Sequence, residues 1–291
     1  MKFTPVLGSA LLLLSLLAGQ LFARPGAKAT VTQPTEVFQG DIVAIKIPGG
    51  GLTAVEGRMG KATVPFYRRP SGAYTALVGA DLDAKPGVIT LTVKGTTTTG
   101  TEHNSQVTLR IKPKSFKKES FSVASEFDQL SPETLERIRH DQEQFSSAFM
   151  SSMPERLWEG AFLLPISSEV TSPFGYRRII NGTPRAPHTG VDLKAALGTP
   201  VVAPNHGRVA LVGDFFFSGQ SVVLDHGGGL YTVYFHLAES KVELGVPVRK
   251  GDVIGLSGMT GRVTGPHLHW GARLNGARID PFELLNKLGQ F

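Results

Sequence analysis

Apolar residues in this chain come in short alternating runs, and Gly or Pro closes nearly every one of them. Val43, Ile45 and Ile47 alternate with Ala44 and Lys46. Ile89, Leu91 and Val93 follow the same rule, as do Val107, Leu109 and Ile111. Period-two alternation puts each set on one face of a half-buried strand. Pro48-Gly49-Gly50-Gly51, Pro70-Ser71-Gly72 and Lys85-Pro86-Gly87 supply the turns between them. Residues 30–123 are therefore expected to form a β-sandwich of immunoglobulin type. Its single histidine, His103, makes no catalytic constellation, so a structural or binding module is the default reading.

What precedes the strands reads differently. Lys2 gives a positive start, Val6 to Phe22 is almost wholly apolar, and small residues follow. This is the pattern of a signal peptide over residues 1–29, with cleavage after Ala23 or Ala29. About 17 residues is the short limit for a bilayer-spanning helix, so a membrane association requires that this segment be kept as an anchor. Either way the rest of the chain is expected outside the cytoplasm, in the periplasm or the extracellular space.

Residues 124–159 are expected to be a linker carrying a helix. Ser131 can cap it, Pro132 fits its first turn, and Glu133 favours the positive end of its dipole. Leu135, Ile138, Phe145 and Phe149 fall along one side. The stripe is short and broken by Gln142, which favours docking on a domain over pairing between chains.

Composition shifts at about residue 160, and the stretch 160–291 holds six of the eight histidines. Strand signals run through Val201-Val202, Arg208 to Val212, Ser221 to Leu224, Tyr231 to Phe235, Val253 to Leu256 and His267 to Leu274. The expected result is a second, antiparallel all-β domain, making the whole chain mainly β. The chain has no cysteine, which removes disulfides, thiolate metal sites and cysteine nucleophiles. A net charge of +6 suits work near an anionic polymer. No basic stripe interleaved with aromatics accompanies it, so no nucleic-acid partner is expected.

Chemistry concentrates in two motifs and one further residue. In His188-Thr-Gly-Val-Asp192 a four-residue gap puts both side chains on one face of a helix or a strand. Pro187, Gly190 and two β-branched residues disfavour the helix, so the motif is placed on a loop entering a strand. In His267-Leu-His269 the two imidazoles share a strand face and Leu268 points the other way. His236 closes the strand Tyr231 to Phe235. Two histidines and a carboxylate can hold zinc with a position left for water, whose pKa then falls toward ~7. Two histidines remain for proton transfer and oxyanion stabilisation. Such spacings also arise in packing and surface histidines, so the motifs alone leave both readings open.

The stretch from Leu164 to Pro281 resembles the lysostaphin-type (LytM-like) zinc endopeptidases. The resemblance rests on Ser172-Pro-Phe-Gly-Tyr-Arg, His188-Thr-Gly-Val-Asp192, Gly198-Thr-Pro-Val, Thr232-Val-Tyr-Phe-His-Leu, Gly251-Asp-Val-Ile-Gly and Thr264-Gly-Pro-His-Leu-His269, in that order. It implies a small antiparallel fold with a groove over the sheet. It also implies Zn2+ held by His188, Asp192 and His269, with His236 and His267 as the non-ligand catalytic pair. One of the pair would act as base toward the metal-activated water and the other on the oxyanion, and the sequence does not say which. The implied substrate is the peptide cross-link of bacterial peptidoglycan, with stem peptides and cross-bridges as partners. A glycine bridge and a bond between D-alanine and a diamino acid both remain open. Some relatives have lost ligands and activate a wall amidase without catalysis. That regulator is the alternative reading, although this chain keeps all five residues. Tyr176, in the Phe-Gly-Tyr-Arg turn, is given no catalytic role. His206 and His226 sit in turn signals and are read as structural. Gly227 to Gly229 lack the strand–loop–helix context of a phosphate loop. Arg177 and Arg178 either line the groove, facing wall-peptide carboxylates, or lie solvated on the surface.

Overall fold

The computed structural model of the protein describes residues 35–121 and 130–290; the apolar amino-terminal segment, with Ala23 and Ala29, lies outside them. The first strands are β1 (Thr35–Phe38), β2 (Ile42–Ile47), β3 (Leu52–Met59), β4 (Ala62–Pro65), β5 (Tyr67–Arg68), β6 (Tyr74–Gly79), β7 (Gly87–Thr97), β8 (Glu102–Lys112) and β9 (Lys118–Phe121). One sheet runs β1-β8-β7-β3-β4 and another β2-β6-β5. The alternating runs explain how they pack. Ile45, Ile47, Leu91, Val93, Val107 and Leu109 are buried together in one core between the sheets. Ile42, on β2, joins Leu77 and Leu82 in the core of the carboxy-terminal part.

Strand β9 leaves this pair of sheets and runs parallel to β11 in the carboxy-terminal part, pairing Arg177 with Lys118 and Ile179 with Ser120. Helix α1 (Pro132–Met150) follows, capped by the Ser131 hydroxyl, which accepts from the Thr134 N–H at 3.2 Å, with Pro132 in its first turn. Its apolar stripe differs from the expected one at one end. Leu135 is 53% exposed, whereas Ile138 and Ala148 are buried. Phe145 and Phe149 dock on a sheet face, within 4.7 Å of Phe215 and 5.3 Å of Tyr231 between ring centroids respectively. Earlier in the helix Arg137 reaches Asp214 at 3.2 Å and Asp141 accepts from the Phe216 N–H at 2.7 Å, so the first turns make polar contacts and the last turns the aromatic ones.

Beyond it lie β10 (Val170–Ser172), β11 (Arg177–Ile180), β12 (Thr183–Pro184), β13 (Gly190–Lys194), β14 (Pro200–Val202), β15 (Gly207–Phe215), β16 (Gly219–Asp225), β17 (Leu230–Ser240), β18 (Pro247–Val248), β19 (Val253–Ser257), β20 (His267–Leu274), β21 (Ala277–Ile279) and α2 (Phe282–Lys287). The main sheet has the order β10-β13-β20-β17-β16-β15-β18, and its pairings are antiparallel. One face carries Leu193, Val222, Leu224, Tyr234, Leu268 and Trp270 into the largest core. The opposite face carries the histidines and receives α1. Among the described residues no helix is long and apolar enough to cross a membrane.

Candidate metal centre

Antiparallel pairing assembles the centre. Asp192 on β13 sits directly opposite His269 on β20, so their side chains share a face. Leu268 and Trp270, between and beyond the histidines, are fully buried on the other face. His188 precedes β13 and is fixed by a turn: its N–H donates to the Tyr176 carbonyl at 2.9 Å, and its carbonyl accepts from Gly175 N–H at 2.8 Å. Gly190 is required between them. A Cβ there would stand 2.7 Å from His269 Nε2 and 2.4 Å from the Trp270 carbonyl.

Three donor atoms converge. His188 Nε2 lies 2.9 Å from Asp192 Oδ1 and 3.0 Å from His269 Nδ1, and His269 Nδ1 lies 3.0 Å from the same Oδ1. Among the described residues this is the cluster able to hold a metal. Hydrogen bonding sets the proton positions. His188 Nδ1 donates to the Pro173 carbonyl at 2.9 Å, which leaves a lone pair on Nε2. His269 Nε2 is buried without a partner. With the His269 proton on Nε2, lone pairs of two imidazoles and a carboxylate oxygen converge within 3.0 Å of one another. A cation satisfies all three. The donor set of two nitrogens and one carboxylate oxygen is that of a catalytic zinc site, so the residues fit the ion.

Electrostatics agree. Burial alone would raise the Asp192 pKa, but the imidazoles of His188 and His269 beside it hold its carboxyl well below the usual range. Burial pushes His269 down to about 4, despite its bond to Asp192. Asp192 Oδ2 faces outward, 3.6 Å from Arg178 Nη2. Arg177 instead turns to Asp83, in a short ion pair, and covers the Phe116 ring.

His267 and His236 flank this cluster. His267 Nδ1 donates to the Gly265 carbonyl at 2.8 Å, and its Nε2 points to Asp192 Oδ1 at 3.7 Å. His236 Nδ1 donates to the Thr260 carbonyl at 3.0 Å. Its ring centroid is 4.9 Å from that of His267. His236 has φ 63°, a left-handed conformation rare for a residue with a side chain. It sits at a bulge where β17 changes partners, from Phe235 opposite His269 to Leu237 opposite Ser257. Its N–H donates to the Ser218 carbonyl at 2.8 Å, which holds the strained turn. Burial, then the His269 and His267 charges, lower its pKa to about 3, so it is neutral near pH 7.

Sequence reading missed several supporting groups. Phe235 stacks on His269 with ring centroids 5.1 Å apart and planes 5° apart. Its place beside His236 on an apolar strand was the available signal. The carbonyls of Pro173, Thr260 and Gly265 carry no side-chain signature at all. His226 is fully buried away from the centre. Its Nδ1 donates to the His206 carbonyl at 2.7 Å and its Nε2 accepts from the Thr232 hydroxyl at 2.8 Å, as befits a structural residue.

Comparison with known proteins follows the same residues. The model of Peptidase family M23 matches residues 186–281, which contain all five. A crystal structure of a putative peptidase M23 from Pseudomonas aeruginosa is 30% identical, covering 89% of this chain and 96% of that one, with a TM-score of 0.68. The chain belongs to peptidase family M23. It is 44% identical to the DD-carboxypeptidase/endopeptidase Mpg of Neisseria meningitidis serogroup B over 40% of its own length. It is 40% identical to the peptidoglycan DD-endopeptidase ShyA of Vibrio cholerae over 40% of its length. The matches span only 27% and 28% of those two relatives.

Proposed function

We propose that the protein is an exported zinc endopeptidase that hydrolyses peptide cross-links of bacterial peptidoglycan. The convergence of His188 Nε2, Asp192 Oδ1 and His269 Nδ1 carries the reading, because these three buried atoms form a ligand set for a divalent cation. Membership of the family and the likeness to the peptidoglycan DD-endopeptidase ShyA support the substrate. Zinc held there supplies a Lewis acid that acidifies water and polarises the scissile carbonyl. His236 and His267 each keep the proton on Nδ1, bound to a carbonyl, so each offers Nε2 to the reaction. One takes the proton of the attacking water and passes it to the leaving amine. The other, entering the reaction as imidazolium already protonated by solvent, would donate its Nε2–H to the oxyanion and keep that proton. Asp192 stays ionised and balances the added positive charge. The division into an immunoglobulin-type sandwich over 30–123, a helical linker over 124–159 and a peptidase unit over 160–291 belongs to the same proposal. So does the removal of the amino-terminal segment on export, by cleavage after Ala23 or Ala29.

The non-catalytic regulator is the second reading, and retention of all five residues weighs against it. Mass spectrometry of purified peptidoglycan fragments after incubation with the zinc-loaded protein tests the choice. Cross-linked dimers should disappear in favour of monomers, each cleaved bond taking up one water. Dimers left intact, with or without an added amidase, would overturn the endopeptidase reading.

A further inference from the structure

Strand β20 carries more than the two histidines on its metal-facing side. Alternation puts His267, His269, Gly271 and Arg273 on one face. Across the pairings, Phe235 lies opposite His269, Val233 opposite Gly271 and Tyr231 opposite Arg273. On the other side Gly190 lies opposite Gly271. The two paired glycines let the Val233 side chain and the His269 ring lie close against the sheet between the metal centre and Arg273. A Cβ at Gly271 would come within 2.9 Å of Val233 Cγ2.

A cleft of about 220 Å³ occupies this space. Thr189, next to His188, and Phe235 line its metal end; Arg273 and Arg278 line the far end. Phe145 and Phe149 of α1 contribute to the lining as well. The two arginines differ in their partners. Arg278 is held by Asp81 in a two-point ion pair and reaches Asp83 as well. Arg273 is half-buried and lies over the Phe149 ring at 4.4 Å, and its guanidinium receives no ion pair or hydrogen bond from the described residues. Burial and then the charge of Arg278 work against its ionised form, Asp81 partly opposes them, and an incoming carboxylate would relieve what remains. Four residues of strand separate Arg273 from His269, or roughly 13 Å. That is the reach of a few residues of extended peptide.

We infer that Arg273 is a specificity-determining residue which binds a carboxylate of the substrate peptide, at the far end of this cleft, about 13 Å along β20 from His269. The inference rests on the peptidase reading for the identity of the ligand. Its chemistry is that of a peptide whose free carboxylate, not its apolar side chains, is recognised at this end. A stem peptide with its side-chain and terminal carboxylates meets the requirement, and the same peptide with carboxamides does not.

The test uses the full zinc-loaded chain as wild type, Arg273→Gln and Arg273→Lys, with zinc content and melting temperature recorded for each. Calorimetry measures binding of a wall stem peptide with free carboxylates and of its carboxamide counterpart, and hydrolysis of cross-linked dimers in both forms is followed separately. Wild type should bind the carboxylate form about tenfold or more tightly, the usual scale for a charge-assisted hydrogen bond. Arg273→Gln should lose that preference and Arg273→Lys should keep part of it. A purely structural arginine, holding α1 through Phe149, would lower melting temperature and weaken both peptides alike. Equal binding of the two forms by wild type overturns the inference, as does a preference that survives in Arg273→Gln. Should Arg273→Gln fail to fold, wild type and Arg273→Lys still decide it. A carboxylate preference in binding with no hydrolysis of either dimer would contradict the peptidase reading and leave this subsite standing.

Discussion

At the scale of single residues, the protein uses backbone carbonyls to decide what its histidines can do. Pro173, Thr260 and Gly265 each take the Nδ1 proton of one imidazole and turn the other nitrogen toward the centre. The five candidate residues were legible in the sequence through the family resemblance, spacing alone leaving packing histidines open, and the structure brings Asp192 and His269 together as a cross-strand pair. The left-handed turn at His236 was not, since it depends on a bulge that forms only when β17 changes partners. His226 shows the opposite use of the same side chain. It is fully buried, and burial lowers its pKa from the ordinary 6.5 to about 4. Below about pH 6.5 the unfolded chain takes up this proton while the folded chain resists until about pH 4. Stability should therefore fall as pH drops through that window, by on the order of 2–4 kcal/mol from this residue. Denaturation midpoints of wild type and His226→Gln between pH 4.5 and 7.5 check the sign. The variant should show a flatter dependence, and parallel slopes would contradict it.

At the scale of elements, α1 was legible at its start and misleading along its stripe. Ser131, Pro132 and Glu133 mark the beginning correctly because capping is local chemistry. The stripe cannot say how much of the helix meets a surface. Leu135 stays 53% exposed, while Arg137 and Asp141 reach Asp214 and the Phe216 N–H with polar groups. Phe145 instead packs among Phe149, Phe215 and Phe235, and Phe235 stacks on His269. Phe145→Ala should cost about 2–3 kcal/mol, somewhat below the range for fully buried phenylalanines. Leu135→Ala should stay within about 0.5 kcal/mol of wild type. Equal losses in chemical denaturation would mean the helix docks along its whole length. The pairing of β9 with β11 was likewise out of reach, because Lys118 to Phe121 carries no pattern that names a partner so distant in sequence.

At the scale of the whole molecule, the two halves share a core as well as a chain. Ile42, Leu77 and Leu82 are buried among carboxy-terminal residues, and Gly79 leaves room for Ile279 and Ala277 against it. The polar joints are specific too: Ile42 N–H donates to Glu283, Asn275 Nδ2 to the Leu77 carbonyl, and Arg278 grips Asp81. None of this was visible in the sequence, where Ile42 and Leu77 look like any other strand residues. The Asp81–Arg278 pair is partly exposed, so its contribution is discounted for screening. Arg278→Ala should destabilise the protein by about 1–2 kcal/mol while leaving one cooperative transition. An unchanged melting temperature would assign the joint to its apolar contacts alone.

The zinc content of dialysed wild type, Asp192→Ala and His236→Ala tests the centre most directly. Wild type and His236→Ala should each hold one zinc per chain, and His236→Ala should nonetheless lose roughly 100- to 10,000-fold in cross-link hydrolysis. Asp192→Ala should hold little zinc, because two neutral imidazoles compensate a divalent ion poorly. Undiminished zinc in Asp192→Ala, or its loss from His236→Ala, would contradict the assignment.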